Sequence, residues 1–273
     1  MLAVPANAPF LLSLDLKRLR SSELGRALAS QLGAQATRDL STECQAVLGR
    51  AERLVVVLPR LESAGDLGAI GMAASGDFEP SELTRCVSDS LATQGLELTR
   101  EARSGFELFS AGSSEQGVVA LRPDGLLLSA GRQQLDGMLA AATHAAPNIR
   151  SSKAHQLLRE LVGVNGTLVL SWFADGALSL FPDVRAAALR ADFSPDLHVD
   201  GVLRCAGEAE CAELAVSLRR LPRHPLLTLW GIAVPDAALS VREQPELLRF
   251  TLDLSSASSI QLLSRLNAIP LAQ

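Results

Sequence analysis

A strand-to-helix passage near the N-terminus returns about 160 residues later, and repetition of this kind fixes the unit that must fold and bury its own face. Phe10-Leu11-Leu12-Ser13-Leu14 reads as a strand that reaches Asp15 and hands over to a helix beginning near Ser22. Gly166-Thr167-Leu168-Val169-Leu170-Ser171-Trp172 does the same and reaches Asp175 before another helix. The two stretches also end alike: Leu126-Leu127-Leu128-Ser129 leads into a helix, as does Leu252-Asp253-Leu254-Ser255. Two related units are therefore expected, residues 1–150 and a shorter 151–273, meeting at the polar, Pro-containing break His144–Ile149.

The elements inside each unit set the class. The clearest helix is 80–93: Pro80 suits the first turn, Leu83, Val87 and Leu91 mark one face, and Gly95 ends it. Further helices are expected at 22–31, 38–48, 133–142, 152–161, 208–221 and 258–266. Strands are expected at 53–59, 67–74, 97–103, 106–111, 118–121 and 126–129, the last two joined by Arg122-Pro123-Asp124-Gly125, where Pro presets φ and Gly supplies a positive one. In the second unit Leu197, Val199, Gly201 and Leu203 alternate with His198, Asp200 and Arg204, the signature of a half-buried strand, and 238–242 with 247–254 make a hairpin about Gln244-Pro245-Glu246. Hairpin-linked strands interleaved with helices predict an α+β fold, antiparallel or mixed, with helices on one face and a split β-α-β arrangement in each unit.

At 273 residues and 48% hydrophobic, with a mean hydropathy of +0.21, the chain has material for real cores. No apolar run approaches the roughly 20 residues that a membrane-spanning helix needs. The net charge is -5, and Lys17 and Lys153 are the only lysines. The arginines are scattered, apart from Arg219, Arg220 and Arg223 at the end of one helix, so the clustered basic face that nucleic acid requires is missing. Met1-Leu-Ala-Val-Pro-Ala-Asn-Ala-Pro lacks a basic region and a long apolar run, so it does not read as an intact secretory signal: the chain is either cytoplasmic or a mature segment with a start Met added.

Four cysteines bear on that choice. Cys205 ends a strand and Cys211 opens the following helix, so a disulfide there would staple the corner; Cys44 and Cys86 sit on helices able to pack together. The alternatives are four reduced, buried cysteines or a zinc site, although Cys-x5-Cys near His198 lacks tight ligand spacing. His144, His155, His198 and His224 show no paired spacing, and there is no Gly-x-Ser-x-Gly elbow to nominate a nucleophile. Asp15, Asp175 and Asp253 each lie where a strand gives way to a helix, which reads as capping before it reads as a repeated carboxylate site. Glu208, Glu210 and Glu213 match the positive end of a helix dipole. Asn165-Gly166-Thr167 is a glycosylation sequon, and Trp172, Phe173 and Phe181 form the one aromatic cluster, read as a core anchor. No catalytic, cofactor-binding or metal-ligating residue is nominated.

The segment Pro9-Phe10-Leu-Leu-Ser-Leu-Asp-Leu-Lys-Arg-Leu-Arg-Ser and the later Ser152-x-x-x-x-Leu157-Leu158…Gly166-Thr167-Leu168 passage resemble the uncharacterised, duplicated α+β proteins found as exported or lipoprotein-like products of Gram-negative bacteria. That resemblance implies an extracytoplasmic site and carries no functional residue. The expectation is a non-enzymatic, extracytoplasmic binding or scaffold protein working through protein–protein surfaces, exposed sheet edges among them. The alternatives are a hydrolase-type enzyme whose site assembles from dispersed residues and a cytoplasmic assembly subunit.

Overall fold

Antiparallel pairing organises each described strand in a computed structural model that describes residues 3–27, 41–58, 70–93, 98–111, 117–173, 183–223, 225 and 234–267. The chain divides into two units, Met1–Lys17 with Gly33–Gln156, and Arg18–Leu32 with Leu157–Gln273. The division falls inside a helix rather than at residue 150, and a segment from the N-terminal part belongs to the second unit. Arg18 shows why: its Nη1 donates to the Asn165 carbonyl at 3.1 Å and lies 4.0 Å from Asp192.

The first unit contains β1 (Phe10–Asp15), α1 (Leu16–Ser21, which crosses into the second unit), α2 (Thr42–Leu48), β2 (Ala51–Leu58), β3 (Gly71–Gly76), α3 (Pro80–Thr93), β4 (Leu98–Arg103), β5 (Phe106–Ala111), β6 (Val118–Arg122), β7 (Leu126–Ala130) and α4 (Arg132–Ala142). Its strand order is β1-β2-β3-β7-β6-β5-β4. The chain leaves β3 through α3 and returns with β7 lying between β3 and β6, which is a split β-α-β unit. The expected turn closes the β6–β7 hairpin: Gly125 has φ 79°, and Arg122 grips Asp124 through two bonds of 2.7 Å. That fork holds the Asp124 carboxyl below its usual pKa.

The second unit takes up α5 (Lys153–Val162) from Leu157 onward, then β8 (Leu168–Phe173), β9 (Val184–Asp192), β10 (Leu197–Cys205), α6 (Glu208–Arg220), β11 (Leu239–Gln244), β12 (Leu247–Leu254) and α7 (Ser256–Asn267). Its order, β8-β9-β10-β12-β11, repeats that of β1-β2-β3-β7-β6; the β4–β5 hairpin is the addition in the first unit. Again a helix, α6, precedes a hairpin whose second strand, β12, returns beside β10.

The class is α+β as expected, but helices cover both faces of each unit rather than one. In the first unit α4 places Leu135, Met138 and Leu139 against Val118, Ala120 and Leu128, while Leu83 of α3 joins Phe109 and Leu121 on the other side. The run Val118-Val119-Ala120-Leu121 is apolar at odd and even positions alike, and a strand of that kind needs cover on both faces. In the second unit Leu158 and Val162 of α5 pack on Ala186, Ala188 and Val202, whereas Ala215 of α6 packs with Leu248 and Cys205 on the opposite face. The small side chains of β9 let α5 approach the sheet.

Candidate functional site

Side chains of β9, β10, β12 and β11 that share the α5-side face bring charge together beyond the end of that helix. Alternation along each strand selects them: Arg190 and Asp192 on β9, His198 and Asp200 on β10, Arg249, Thr251 and Asp253 on β12, Ser240 and Arg242 on β11. Register then sets the neighbours. His198 lies opposite both Asp192 and Asp253, Asp200 opposite Arg190 and Thr251, Ser240 opposite Thr251, and Arg242 opposite Arg249.

His198 is held on both sides. Its Nδ1 meets Asp253 Oδ1 at 2.6 Å and its Nε2 meets Asp200 Oδ2 at 3.1 Å. The Asp253 bond, reinforced by Asp200, raises the imidazole pKa above its ordinary value against the smaller effect of burial. When the ring is protonated it donates from both nitrogens, and each carboxylate then receives a charge-assisted bond. Arg190 Nη2 adds a 2.5 Å bond to the same Asp200 oxygen, and its Nε lies 3.7 Å from Asp192. Asp192 in turn accepts from the Thr167 backbone N–H at 3.1 Å and from its hydroxyl at 3.4 Å, tying β9 to the turn before β8. Arg190 crosses that turn through space left by glycine: a Cβ at Gly166 would stand 2.5 Å from Arg190 Cγ. Arg190 and Asp200 are each 25% exposed, which keeps their pair less screened than a fully wet one.

Beside this network lies an open cleft of about 300 Å³ between α5 and the β11–β12 hairpin, lined on its polar side by Asp200, Ser240, Arg242, Arg249 and Thr251. Arg242 and Arg249 have no ion-pair or hydrogen-bond partner among the described residues, and the Arg249 Nε is buried without one.

The cysteines form two disulfides: Cys44–Cys86 joins α2 to α3, and Cys205–Cys211 joins the end of β10 to α6, with Cα separations of 5.0 and 5.4 Å. That leaves no cysteine free for a zinc site. Of the remaining residues singled out by sequence, Asp253 does not cap a helix. Ser255 does, its Oγ accepting from Ser258 N at 3.3 Å, and Asp196 assists by accepting from Ser256 N at 2.7 Å. Asp15 ends β1 ahead of α1, while Asp175, Phe181 and His224 lie outside the described residues. His155 is buried, its Nε2 bonded to the Ala8 carbonyl at 2.7 Å, and His144 sits exposed just after α4 with φ 61°. Glu208, Glu210 and Glu213 lie in the first two turns of α6, whose N-cap Gly207 makes no side-chain cap bond. Trp172 is buried, in keeping with a core anchor, and the sequon Asn165 is exposed. Among the described residues no group of three or more His, Cys, Asp or Glu side chains is placed to hold a metal ion. No helix among the described residues is long and apolar enough to cross a membrane.

Sequence reading placed His198 and Asp200 on one outward strand face but did not join them to Asp253, Arg190 or Arg249. The available signal was the i, i+2 spacing of Arg190 with Asp192 and of His198 with Asp200, and the i, i+4 spacing of Arg249 with Asp253; the missing information was which strands are neighbours.

No protein-family model matches the chain, and no curated protein is similar to it in sequence. A solved structure described as "Structure of crystal form I of TP0453" superposes on 97% of this chain and 96% of its own, with a TM-score of 0.54 and 12% identity. At that identity the likeness is one of fold.

Proposed function

We propose that this chain is an extracytoplasmic, non-enzymatic binding protein of the duplicated, exported α+β kind, which engages a protein partner through the charged face of its second unit. The observation that carries the reading is the state of His198. A general base needs one ring nitrogen free to take a proton from a nucleophile, and both nitrogens here are bonded to carboxylates. The network therefore holds fixed charges at set spacings, which favours recognition and steering over acid–base turnover. The pairing of all four cysteines supports an oxidising compartment. The sheet edges are less suited to binding than the face. β4 carries Arg100, Glu101 and Arg103 and β11 carries Arg242 and Glu243, and charges along an edge discourage strand addition.

The test is the intact mass of the protein from its native source, with thiols trapped at lysis and alkylation under denaturing, non-reducing conditions. Cysteines that resist alkylation until reduced place the protein in an oxidising compartment. Four freely alkylated cysteines would overturn the extracytoplasmic reading and return the chain to the cytoplasm.

A further inference from the structure

On the α5-side face of the β11–β12 hairpin, four donor side chains form a two-by-two patch: Arg242 faces Arg249 across the strands, and Ser240 faces Thr251 in the next such row. Neighbours across such a pair stand about 5 Å apart at Cβ, and rows on one face repeat at about 7 Å. Two arginines directly opposite each other repel, and like charges in this position destabilise a sheet. The usual remedy is an interleaved carboxylate, and among the described residues neither arginine has one. The nearest in the cleft, Asp200, is already bonded through the same oxygen to Arg190 and His198, so its charge is answered from the other side. The Arg249 Nε is buried and has no hydrogen-bond partner, a donor left unsatisfied at a cost.

We infer that this cleft is a binding site for a tetrahedral oxyanion, a phosphate dianion either free or carried as a phosphomonoester. Two guanidinium forks supply planar, bidentate donation and neutralise a double negative charge, and the two hydroxyls supply further donors to the remaining oxygens. A carboxylate has only two oxygens in one plane and would leave part of this donor set unused. The cleft is open on one side, so a phosphoryl group can enter with its organic remainder outside. The inference stands on the arginine patch alone and does not require the compartment or the protein partner proposed above.

The experiment is calorimetric titration of the whole chain with inorganic phosphate, glycerol 3-phosphate and acetate at matched ionic strength, alongside Arg242→Ala, Arg249→Lys and Arg185→Ala. Arg185 serves as the control because it is exposed on β9 and points to the other face. Arg249→Lys keeps the charge and removes the fork, and Arg242 is exposed, so folding of both variants is checked by circular dichroism. The expected result is one saturable site for phosphate, weakened about tenfold or more by Arg242→Ala and by Arg249→Lys, with Arg185→Ala unchanged. Tighter binding of glycerol 3-phosphate than of inorganic phosphate identifies the monoester as the ligand; equal or weaker binding identifies free phosphate. Absence of saturable phosphate binding, equal weakening by the control, or acetate binding as tightly as phosphate would overturn the assignment.

Discussion

Removing the disulfides one at a time should destabilise the protein unequally, in the order set by chain entropy. Cys44 and Cys86 are 42 residues apart, Cys205 and Cys211 only 6. Both pairs are buried, so replacing each with two alanines removes the same two sulfur atoms from similar surroundings. What differs is the freedom returned to the unfolded chain. The loop-closure relation gives about 4 kcal/mol for the longer loop and about 2 kcal/mol for the shorter. Against a typical domain stability of roughly 5–15 kcal/mol, the first loss is large. The assay is guanidinium unfolding of the oxidised protein and of the paired variants Cys44→Ala/Cys86→Ala and Cys205→Ala/Cys211→Ala, followed by circular dichroism. The midpoint should fall further for the first variant, and the gap between the two should be close to 2 kcal/mol, since losses common to both cancel. Equal losses would refute the reasoning, as would a larger loss for Cys205→Ala/Cys211→Ala. Either would mean that the packing of α6 on β10 and β12, and not the unfolded chain, sets what the staple contributes.

Asp253→Asn should lower the His198 pKa toward its ordinary value, read from the imidazole proton shifts in an NMR titration; an unchanged pKa would show that Asp200 alone sets it. Because that pKa is raised on folding, the network's stabilisation is complete below the unfolded value near 6.5 and is lost as pH rises through the folded one. Asp253→Asn should flatten the fall in stability above pH 6.5, and a fall as steep as before would sink the linkage. Gly201→Ala should destabilise by about 1–3 kcal/mol, because the new Cβ would lie 2.0 Å from Phe250 Cζ. In Gly201→Ala/Phe250→Leu the glycine substitution should cost less than in the parent, and strict additivity in that double-mutant cycle would argue against the clash.

The split β-α-β arrangement was legible in the sequence because its parts are local: an alternating strand, an amphipathic helix, then a hairpin with Pro and Gly at its turn. The Cys205–Cys211 pairing could be read for the same reason, since it joins a strand to the helix that follows it; Cys44–Cys86 spans 42 residues and was open to reading only as two helices able to pack together. β9 was not legible. Val184-Arg-Ala-Ala-Ala-Leu-Arg-Ala-Asp is rich in residues that favour helix, and it becomes a strand because β8 and β10 pair with it on both sides. Losing β9 meant losing Arg190 and Asp192, and with them the register that places His198 among carboxylates. Asp253 misled for a related reason. Its position at the end of a strand fits a cap, but its side chain points across the sheet while Ser255, two residues on, takes the helix. The double cover of the strands was not read: the alternation in 197–203 pointed to a single covered face, although Val118-Val119-Ala120-Leu121 is apolar at odd and even positions alike.

The segment that crosses from the first unit into the second has a consequence during synthesis. Residues 18–32 leave the ribosome with the first unit, yet Arg18 bonds to the Asn165 carbonyl and lies at ion-pair distance from Asp192 in the finished protein. Those partners follow well over a hundred residues later, which at roughly 5–20 residues per second is a wait on the order of ten seconds or more. Throughout that interval Arg18 lacks the groups it meets in the finished protein, on a chain whose first unit already has all its strands. The nascent protein thus carries an early segment whose place is completed only by the turn before β8 and by β9, so a pause in synthesis before β9 emerges leaves that segment without its charge partner.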